Sequence, residues 1–372
     1  MSKTGLSAVW VDADSKFDVR ELPLPDVEPD GISIRVQATS ICGSDLHSWR
    51  GDGLLPEQRP RPPAIGGHEM MGTVAAMGNK ISTDSLRRPL KEGDRVVYSY
   101  FFPCMRCYNC IRGEMGACKF RGRKPFGEWP VCNGGFSQYY YLRNPQFLFK
   151  IPDEINDAAA APINCALAQV MEAFHIAKPR FGDKVVVQGA GGLGINATAI
   201  AADMGASKVI VIDGQQPRLD LAKQCGATDI VDMRDYPTAD SRVDRIMELT
   251  DGIGADIVIE LVGFPSAVEE GIRMCRMRGT YLEVGHISPN SMIRLDVQKL
   301  VVNQLRFAAI QHYDPWILPS SVDFLIRTKD KYPLMNVISH TFGLEEIDDG
   351  FRTAEWLGRE GGSQVTRAII TP

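Results

Sequence analysis

KVVVQGAGGLGINATAIAADMGA, residues 184–206, joins an unbroken apolar run to a cluster of glycines and then to an alanine-rich stretch. The run reads as a strand buried on both faces, and the stretch after it as a helix. Between them Gly189, Gly191 and Gly194 spell G-x-G-x-x-G, with Gly192 and Leu193 inside the motif. The first glycine permits a tight turn, the second lets the backbone approach a pyrophosphate, and the third lets helix and strand pack closely. The helix N-terminus then faces the phosphates. The glycines alone are a weak signal; the strand–turn–helix context strengthens them. So does VIVID, which ends on Asp213, 19 residues beyond Gly194. A carboxylate there accepts hydrogen bonds from the adenosine ribose and repels a 2′-phosphate, so NAD is expected in preference to NADP. Arg218, five residues further on, suits a contact to the same ribose.

Outward from this point the texture is regular in one direction only. Downstream, DKVVVQGA, SKVIVID, TDIVD, ADIVIELVG, GTYLEVG and LRFAAI alternate with helix-like stretches such as PRLDLAKQCGA and SRVDRIMELTDG. Apolar strands separated by amphipathic helices predict a doubly wound parallel sheet over 161–312. Upstream, residues 1–160 are rich in Gly, Pro and aromatics, with β-like runs GISIRVQATSI, HEMMGTVAAMG and DRVVYSYF. They predict an irregular, mostly β domain. LLPEQRPRPPAIGG, 54–67, reads as loop. Residues 313–372 are mixed and are expected to return to the first domain.

A chain of 372 residues, 44% hydrophobic and 23% charged, is an ordinary globular mixture long enough for two domains. Its net charge of −5 argues against nucleic acid or an anionic membrane as the main partner. MSKTGLSAVWVDAD lacks the basic and apolar regions of a signal peptide, and no apolar run approaches a membrane span. A soluble cytoplasmic protein is expected, in which thiols stay reduced. Nine cysteines, an odd number, fit complete pairing poorly, so metal binding leads among the explanations for clustered ones.

Four of the nine fall in PCMRCYNCIRGEMGAC, 103–118: Cys104, Cys107, Cys110 and Cys118. Four thiolates fill a tetrahedral shell and leave no open position; zinc and an iron–sulfur cluster both accept such a set. Other donors lie apart. ICGSDLH holds Cys42, Ser44, Asp45 and His47; GGHE holds His68 and Glu69; APINCALAQ holds Cys165. A catalytic zinc takes about three protein ligands and keeps a fourth position for water or substrate. Cys42, His68 and Cys165 supply two thiolates and an imidazole.

Together these pieces resemble the zinc-dependent medium-chain dehydrogenases of the alcohol dehydrogenase superfamily. The resemblance runs from near the N-terminus to the end: CGSDLH, GGHE, the four-cysteine run, the Cys of APINCA, GAGGLG with Asp213, and the terminal TRAIITP. It implies an α/β fold with a GroES-like mostly-β catalytic domain, 1–160, carrying the cysteine lobe. A Rossmann domain, 161–312, follows, and 313–372 rejoins the first domain. It implies two zinc ions per chain, one structural in the lobe and one catalytic on Cys42, His68 and Cys165, with Glu69 beside them. Ser44 matches the position that takes the alcohol proton, and His47 the one that passes it to solvent through the cofactor ribose. Asp45 and Glu69 lie where carboxylates orient a ligand imidazole or tune the metal. Arg367 matches a pyrophosphate contact, while Tyr100, His286 and Ile310 align near substrate or nicotinamide. A homodimer or homotetramer is implied.

Two departures stand out. Position 43 is Gly where some members carry a phosphate-binding Arg. The third ligand is Cys165, not the acidic residue that polyol dehydrogenases of the family often use. Trp49, Tyr100 and Trp129 could line an aromatic pocket. The expected activity is hydride transfer between NAD and a secondary or cyclic alcohol and its ketone, with a polyol substrate as the alternative. A zinc-free reductase is disfavoured by the ligand set and the lobe. A non-enzymatic NAD- or zinc-binding protein would have no need of Ser44 and His47. A zinc-ribbon nucleic-acid binder is remote from the acidic balance.

Overall fold

The computed structural model of the protein describes residues 3–10, 16–52, 63–121, 133–286, 291–355 and 365–372. Strand β1 (Thr4–Trp10) lies between β2 (Asp18–Pro23) and β4 (Ala64–Ile65) in a small antiparallel ribbon. Strand β3 (Ile32–Ser40) pairs antiparallel with β5 (Glu69–Met77), which carries β6 (Arg95–Tyr98) and then β8 (Leu148–Lys150); β7 (Tyr139–Leu142) also pairs with β3. The chain end completes this sheet, because β16 (Ala368–Thr371) pairs with β3 and β15 (His340–Gly343) with β16. Register then decides what meets. Ser40 lies opposite both Glu69 and Ile369, which brings the end of β3, the start of β5 and Arg367 to one corner.

Helix α1 (Gly43–Arg50) leaves that corner, and the cysteine run folds around the single-turn α2 (Tyr108–Ile111). Helices α3 (Asp157–Ala160) and α4 (Ala166–Ala177) lead into the second sheet. Its strands are β9 (Lys184–Gln188), β10 (Lys208–Asp213), β11 (Asp229–Asp232), β12 (Ala255–Glu260), β13 (Cys275–Glu283) and β14 (Arg306–Ala309). All are parallel, in the order β11-β10-β9-β12-β13-β14, the doubly wound order with its switch between β9 and β12. The linking helices are α5 (Gly192–Asp203), α6 (Gln216–Gln224), α7 (Ala239–Leu249), α8 (Pro265–Met274) and α9 (Val297–Val302). The β9–α5 turn needs its glycines: Gly189 has φ +92°, and a Cβ on Gly194 would stand 1.8 Å from the Gly189 carbonyl oxygen.

After the last strand, α10 (Ile317–Thr328) packs on α4, which packs on α5. Phe174, Ile195, Leu318 and Leu325 share that core. Only then does the chain cross to β15, followed by α11 (Ile347–Ala354) against β15 and β16. No described helix is long and apolar enough to cross a membrane.

Candidate functional site

Strand order reverses between β9 and β12, and a crevice opens beyond the carboxyl ends of these strands. A cleft of about 970 Å³ runs there, from Asp213 and Arg218 past Gly189, Gly191 and Gly192 to Ser44, His68 and Cys165. It joins the two sheets.

At its inner end, Cys42 precedes α1, Cys165 precedes α4, and His68 precedes β5. The donor atoms of Cys42, His68, Glu69 and Cys165 lie within 4.8 Å of one another. Cys165 Sγ stands 3.4 Å from His68 Nε2. Asp45 braces the group: its Oδ2 accepts the Cys42 N–H at 3.0 Å and its Oδ1 lies 3.4 Å from His68 Nδ1. The thiol pair is polarised, since a hydrogen bond from Cys165 draws the Cys42 thiol well below its usual value and pushes Cys165 well above its own. Burial opposes charge on His68, yet Asp45 and Cys42 outweigh it and hold the imidazole high. A metal ion at Nε2 would take the place of that proton.

Glu69 is fully buried behind this group, in contact with the Arg367 guanidinium, which also donates to Ser40 Oγ at 2.9 Å. Burial lifts the Glu69 carboxyl to about 8, against the pull of Arg367. Its Oε1 has no hydrogen-bond partner among the described residues. Two thiols, an inward imidazole nitrogen and an orphaned carboxylate oxygen make a donor set that fits a divalent zinc ion. One side stays open to the cleft: Ser44 Oγ lies 3.4 Å from His68 Nε2 and lines it.

The second donor set is shut. Cys107 Sγ stands 3.5 Å from Cys110 Sγ and 3.7 Å from Cys118 Sγ, and Cys104 Sγ 4.0 Å from Cys110 Sγ. Four sulfurs each ~2.3 Å from one zinc would stand about 3.8 Å apart, so the lobe has the size of that tetrahedron. A backbone N–H of Cys110 draws the Cys107 thiol down to about 6, whereas burial raises Cys110 to about 12.

His47 lines the cleft one helical turn beyond Ser44. Its Nδ1 lies 2.7 Å from Asp52 Oδ2, and Arg50 joins both to Glu355 through a two-pronged contact of 2.9 and 2.7 Å. Along the nucleotide side, Asp213 Oδ2 accepts the Ala190 N–H at 2.7 Å, fastening the glycine turn to β10. A Cβ on Gly191 would meet nothing within 4 Å, so this position faces open space. Gly192 abuts the Arg367 guanidinium. Arg218 Nη2 donates to the Val365 carbonyl at 2.5 Å, tying α6 to the chain end.

The remaining expectations divide. Tyr100 lines the cleft with its ring centroid 4.9 Å from that of His68. His286 does not line it; the Glu260 carboxylate, with Glu283 Oε1 3.0 Å away, holds the imidazole and lifts it to about 9. Ile310 is buried in the core, and Trp49 packs on Phe351 at 6.0 Å. Trp129 lies outside the described residues. The sequence reading missed Arg121, Gln169, Gln311 and His312, which line the cleft, and the buried Arg242–Glu270 ion pair (2.6 Å) on its nucleotide side. Apart from Gln169, which closes APINCALAQ, none of them belongs to a motif.

Comparison with known proteins agrees with this geometry. Residues 28–153 match the family described as alcohol dehydrogenase GroES-like domain, and residues 192–326 the family described as zinc-binding dehydrogenase. The chain is 29% identical over 347 residues to a 5-exo-hydroxycamphor dehydrogenase of Pseudomonas putida, covering 91% of this chain and 92% of that one. It is 30% identical over 343 residues to a sorbitol dehydrogenase of Bacillus subtilis, covering 91% and 90%. A crystal structure of an alcohol dehydrogenase from Thermotoga maritima superposes with a TM-score of 0.87 at 28% identity over 100% of both chains.

Proposed function

This chain belongs to the zinc-dependent medium-chain alcohol dehydrogenase family, and we propose that it transfers hydride between NAD and a secondary or cyclic alcohol and its ketone. One observation carries the reading: Ser44 Oγ stands 3.4 Å from His68 Nε2 in a cleft continuous with the glycine turn. A proton acceptor, a metal-donor set and a dinucleotide turn thus share one cavity.

Cys42, His68 and Cys165 hold a catalytic zinc, with Glu69 in reserve behind them, and the four-cysteine lobe holds a structural one, giving two per chain. When bound, the catalytic ion supplies Lewis acidity at the substrate oxygen and the dinucleotide supplies the hydride acceptor. Ser44 takes the alcohol proton. His47 relays it outward, oriented by Asp52 and Arg50. Asp213 fixes the turn and presents its carboxylate to the adenosine ribose, which favours NAD over NADP. Gly189, Gly191, Gly192, Leu193 and Gly194 cradle the pyrophosphate with Arg367 at its flank, and Arg218 reaches the adenosine ribose.

Relatives named for hydroxycamphor and for sorbitol support keeping cyclic alcohols and polyols as the two substrate classes. The cleft serves both, being lined by the aromatic Tyr100 and Phe101 and the polar Gln169, Gln311 and His312. The division into 1–160, 161–312 and a C-terminal return is supported by β15 and β16 joining the first sheet, although α10 still packs on α4 before the chain crosses over. A homodimer or homotetramer is supported by the open edge of β14, with Phe307 exposed on it, and by the exposed Val297, Val301 and Val302 of α9. The free thiols of the eight described cysteines suit a cytoplasmic setting.

Zinc-loaded protein assayed by NADH absorbance against primary, secondary, cyclic and polyol alcohols tests the reading. Turnover of a secondary or cyclic alcohol with NAD is expected. Protein that binds zinc and NADH yet oxidises no alcohol would leave it a binding protein.

A further inference from the structure

Residues 311–314, just beyond β14, touch both metal-donor regions. On the lobe side, Asp314 Oδ1 accepts the N–H of Gly116, which lies between Cys110 and Cys118, at 2.7 Å. A Cβ on Gly116 would stand 2.7 Å from the Tyr313 carbonyl oxygen, so lobe and segment are in backbone contact. Arg121 donates to the Cys118 carbonyl at 3.2 Å and to Gln311 Oε1 at 3.1 Å.

On the other side the segment is tied to α4. The Tyr313 hydroxyl donates to the carbonyl of Asn164, the residue before Cys165, at 2.5 Å. The Gln169 amide donates to the Gln311 carbonyl. His312 sits 5.9 Å from the Tyr100 ring, itself tilted against the His68 ring at 4.9 Å, and 5.2 Å from Phe101. Gln311 and His312 line the cleft at its donor-set end.

We infer that the four-cysteine lobe sets the substrate wall: through the Asp314–Gly116 bond it holds Gln311 and His312 in place and so governs substrate affinity. The lobe is thus part of the substrate site, although none of its sulfurs faces the reaction. Asp314 is a positioning residue, acting through Gln311 and His312. The nucleotide turn makes none of these contacts, so cofactor binding is independent of them. This inference rests on the alcohol-dehydrogenase reading of the cleft.

Asp314→Ala, Asp314→Asn and Gly116→Ala in the full-length, zinc-loaded protein test it, with the best alcohol of the substrate panel. Asp314→Ala removes the acceptor, and Gly116→Ala forces the lobe off Tyr313 from the opposite side. Each is expected to raise KM about tenfold with kcat within about twofold of the parent, since a wall displaced by one lost hydrogen bond weakens binding without removing the reacting groups. The NADH dissociation constant, read by fluorescence, and the zinc content stay at parent values. Asp314→Asn keeps a carbonyl acceptor and is expected to restore KM to within about twofold. Unchanged KM in both disruptive variants would overturn the inference, as would a fall in kcat at constant KM. If either variant loses lobe zinc, Gln311→Ala decides, because it alters the wall without touching a cysteine; an unchanged KM there also overturns it. Failure of the alcohol reading itself would show as an inactive parent, whereas failure of this inference leaves the parent active.

Discussion

The two cysteine-bearing regions use the same thiol chemistry and are built in opposite ways. The closed lobe takes all four donors from 104–118, and local turns bring the sulfurs to 3.5–4.0 Å. The open set takes its donors from three distant segments; Cys165 lies 97 positions from His68 and meets it at 3.4 Å. Closing a short loop costs little chain entropy, whereas the open set meets only after β3, β5 and α4 have all docked. The closed set therefore reports on local folding and the open set on the whole tertiary structure. Their surroundings follow. Cys118 is fully buried, while Ser44 and the cleft stand beside the open set.

Cys165→Ala tests the open half of this contrast and carries the largest expected effect. Removing one of three open-site donors should lower turnover by at least about 1,000-fold, the loss of several kcal/mol of Lewis-acid stabilisation. Zinc should fall from two ions per chain to one, while the folded protein still binds NADH. Retention of full activity would move the third ligand elsewhere, with Glu69 first in line because it already lies within 4.8 Å of the set.

Cys118→Ser tests the closed half. Cys118 Sγ accepts the Cys104 N–H at 3.3 Å and approaches Cys107 Sγ at 3.7 Å, so its loss breaks the tetrahedron from inside. Metal binding there is coupled to local folding, and a loss of about 3 kcal/mol of stability is expected, with aggregation on heating. The folded fraction should keep its kcat while KM rises with the loosened wall. Thermal melting with metal analysis decides; parent stability with two zinc ions would remove the closed-site reading.

The same contrast explains what was legible in the sequence. The lobe and the β9–α5 turn could be read because their parts are contiguous: the glycines, the Val run and the four cysteines each make sense within about twenty positions. The open set was legible only as donor types in order, because nothing local says that Cys42 and Cys165 point at one another. Of the cleft wall only Tyr100 was named, through the resemblance, while Gln169, Gln311 and His312 were not. Gln311 and His312 line the cleft from a segment tied to the lobe through Asp314 and to α4 through Gln169, which no periodicity records. His286 was named only through the resemblance, and no local pattern announces that Glu260 and Glu283 lie beside its ring.

Ser44→Ala separates the two regions by chemistry, since the proposed proton acceptor stands beside the open one. Its Oγ lies 3.4 Å from His68 Nε2, and losing it should slow alcohol oxidation about 100-fold, within the usual range for a positioned general base. Both zinc ions and the NADH dissociation constant should stay at parent values. Turnover within about twofold of the parent would remove Ser44 from the proton path.

The smallest effect expected concerns how each donor set is held. In the lobe, backbone groups orient the sulfurs, as when Cys104 N–H donates to Cys118 Sγ. In the open set one buried carboxylate does it: Asp45 Oδ2 accepts the Cys42 N–H at 3.0 Å while Oδ1 lies 3.4 Å from His68 Nδ1. Asp45→Asn keeps the shape, removes the charge and replaces one acceptor by a donor. Either the Cys42 N–H or the His68 Nδ1–H then faces an N–H, and one ligand loses its orientation. Partners of this kind are worth ten- to a hundredfold in metal affinity, and the lower figure applies here because one of the two contacts survives. Competition with a chelator should therefore show open-site zinc bound about tenfold more weakly, with closed-site zinc released at the parent rate. Equal weakening at both sites would mean that Asp45 acts on the fold as a whole. No weakening at either would reduce it to a residue that caps the first turn of α1.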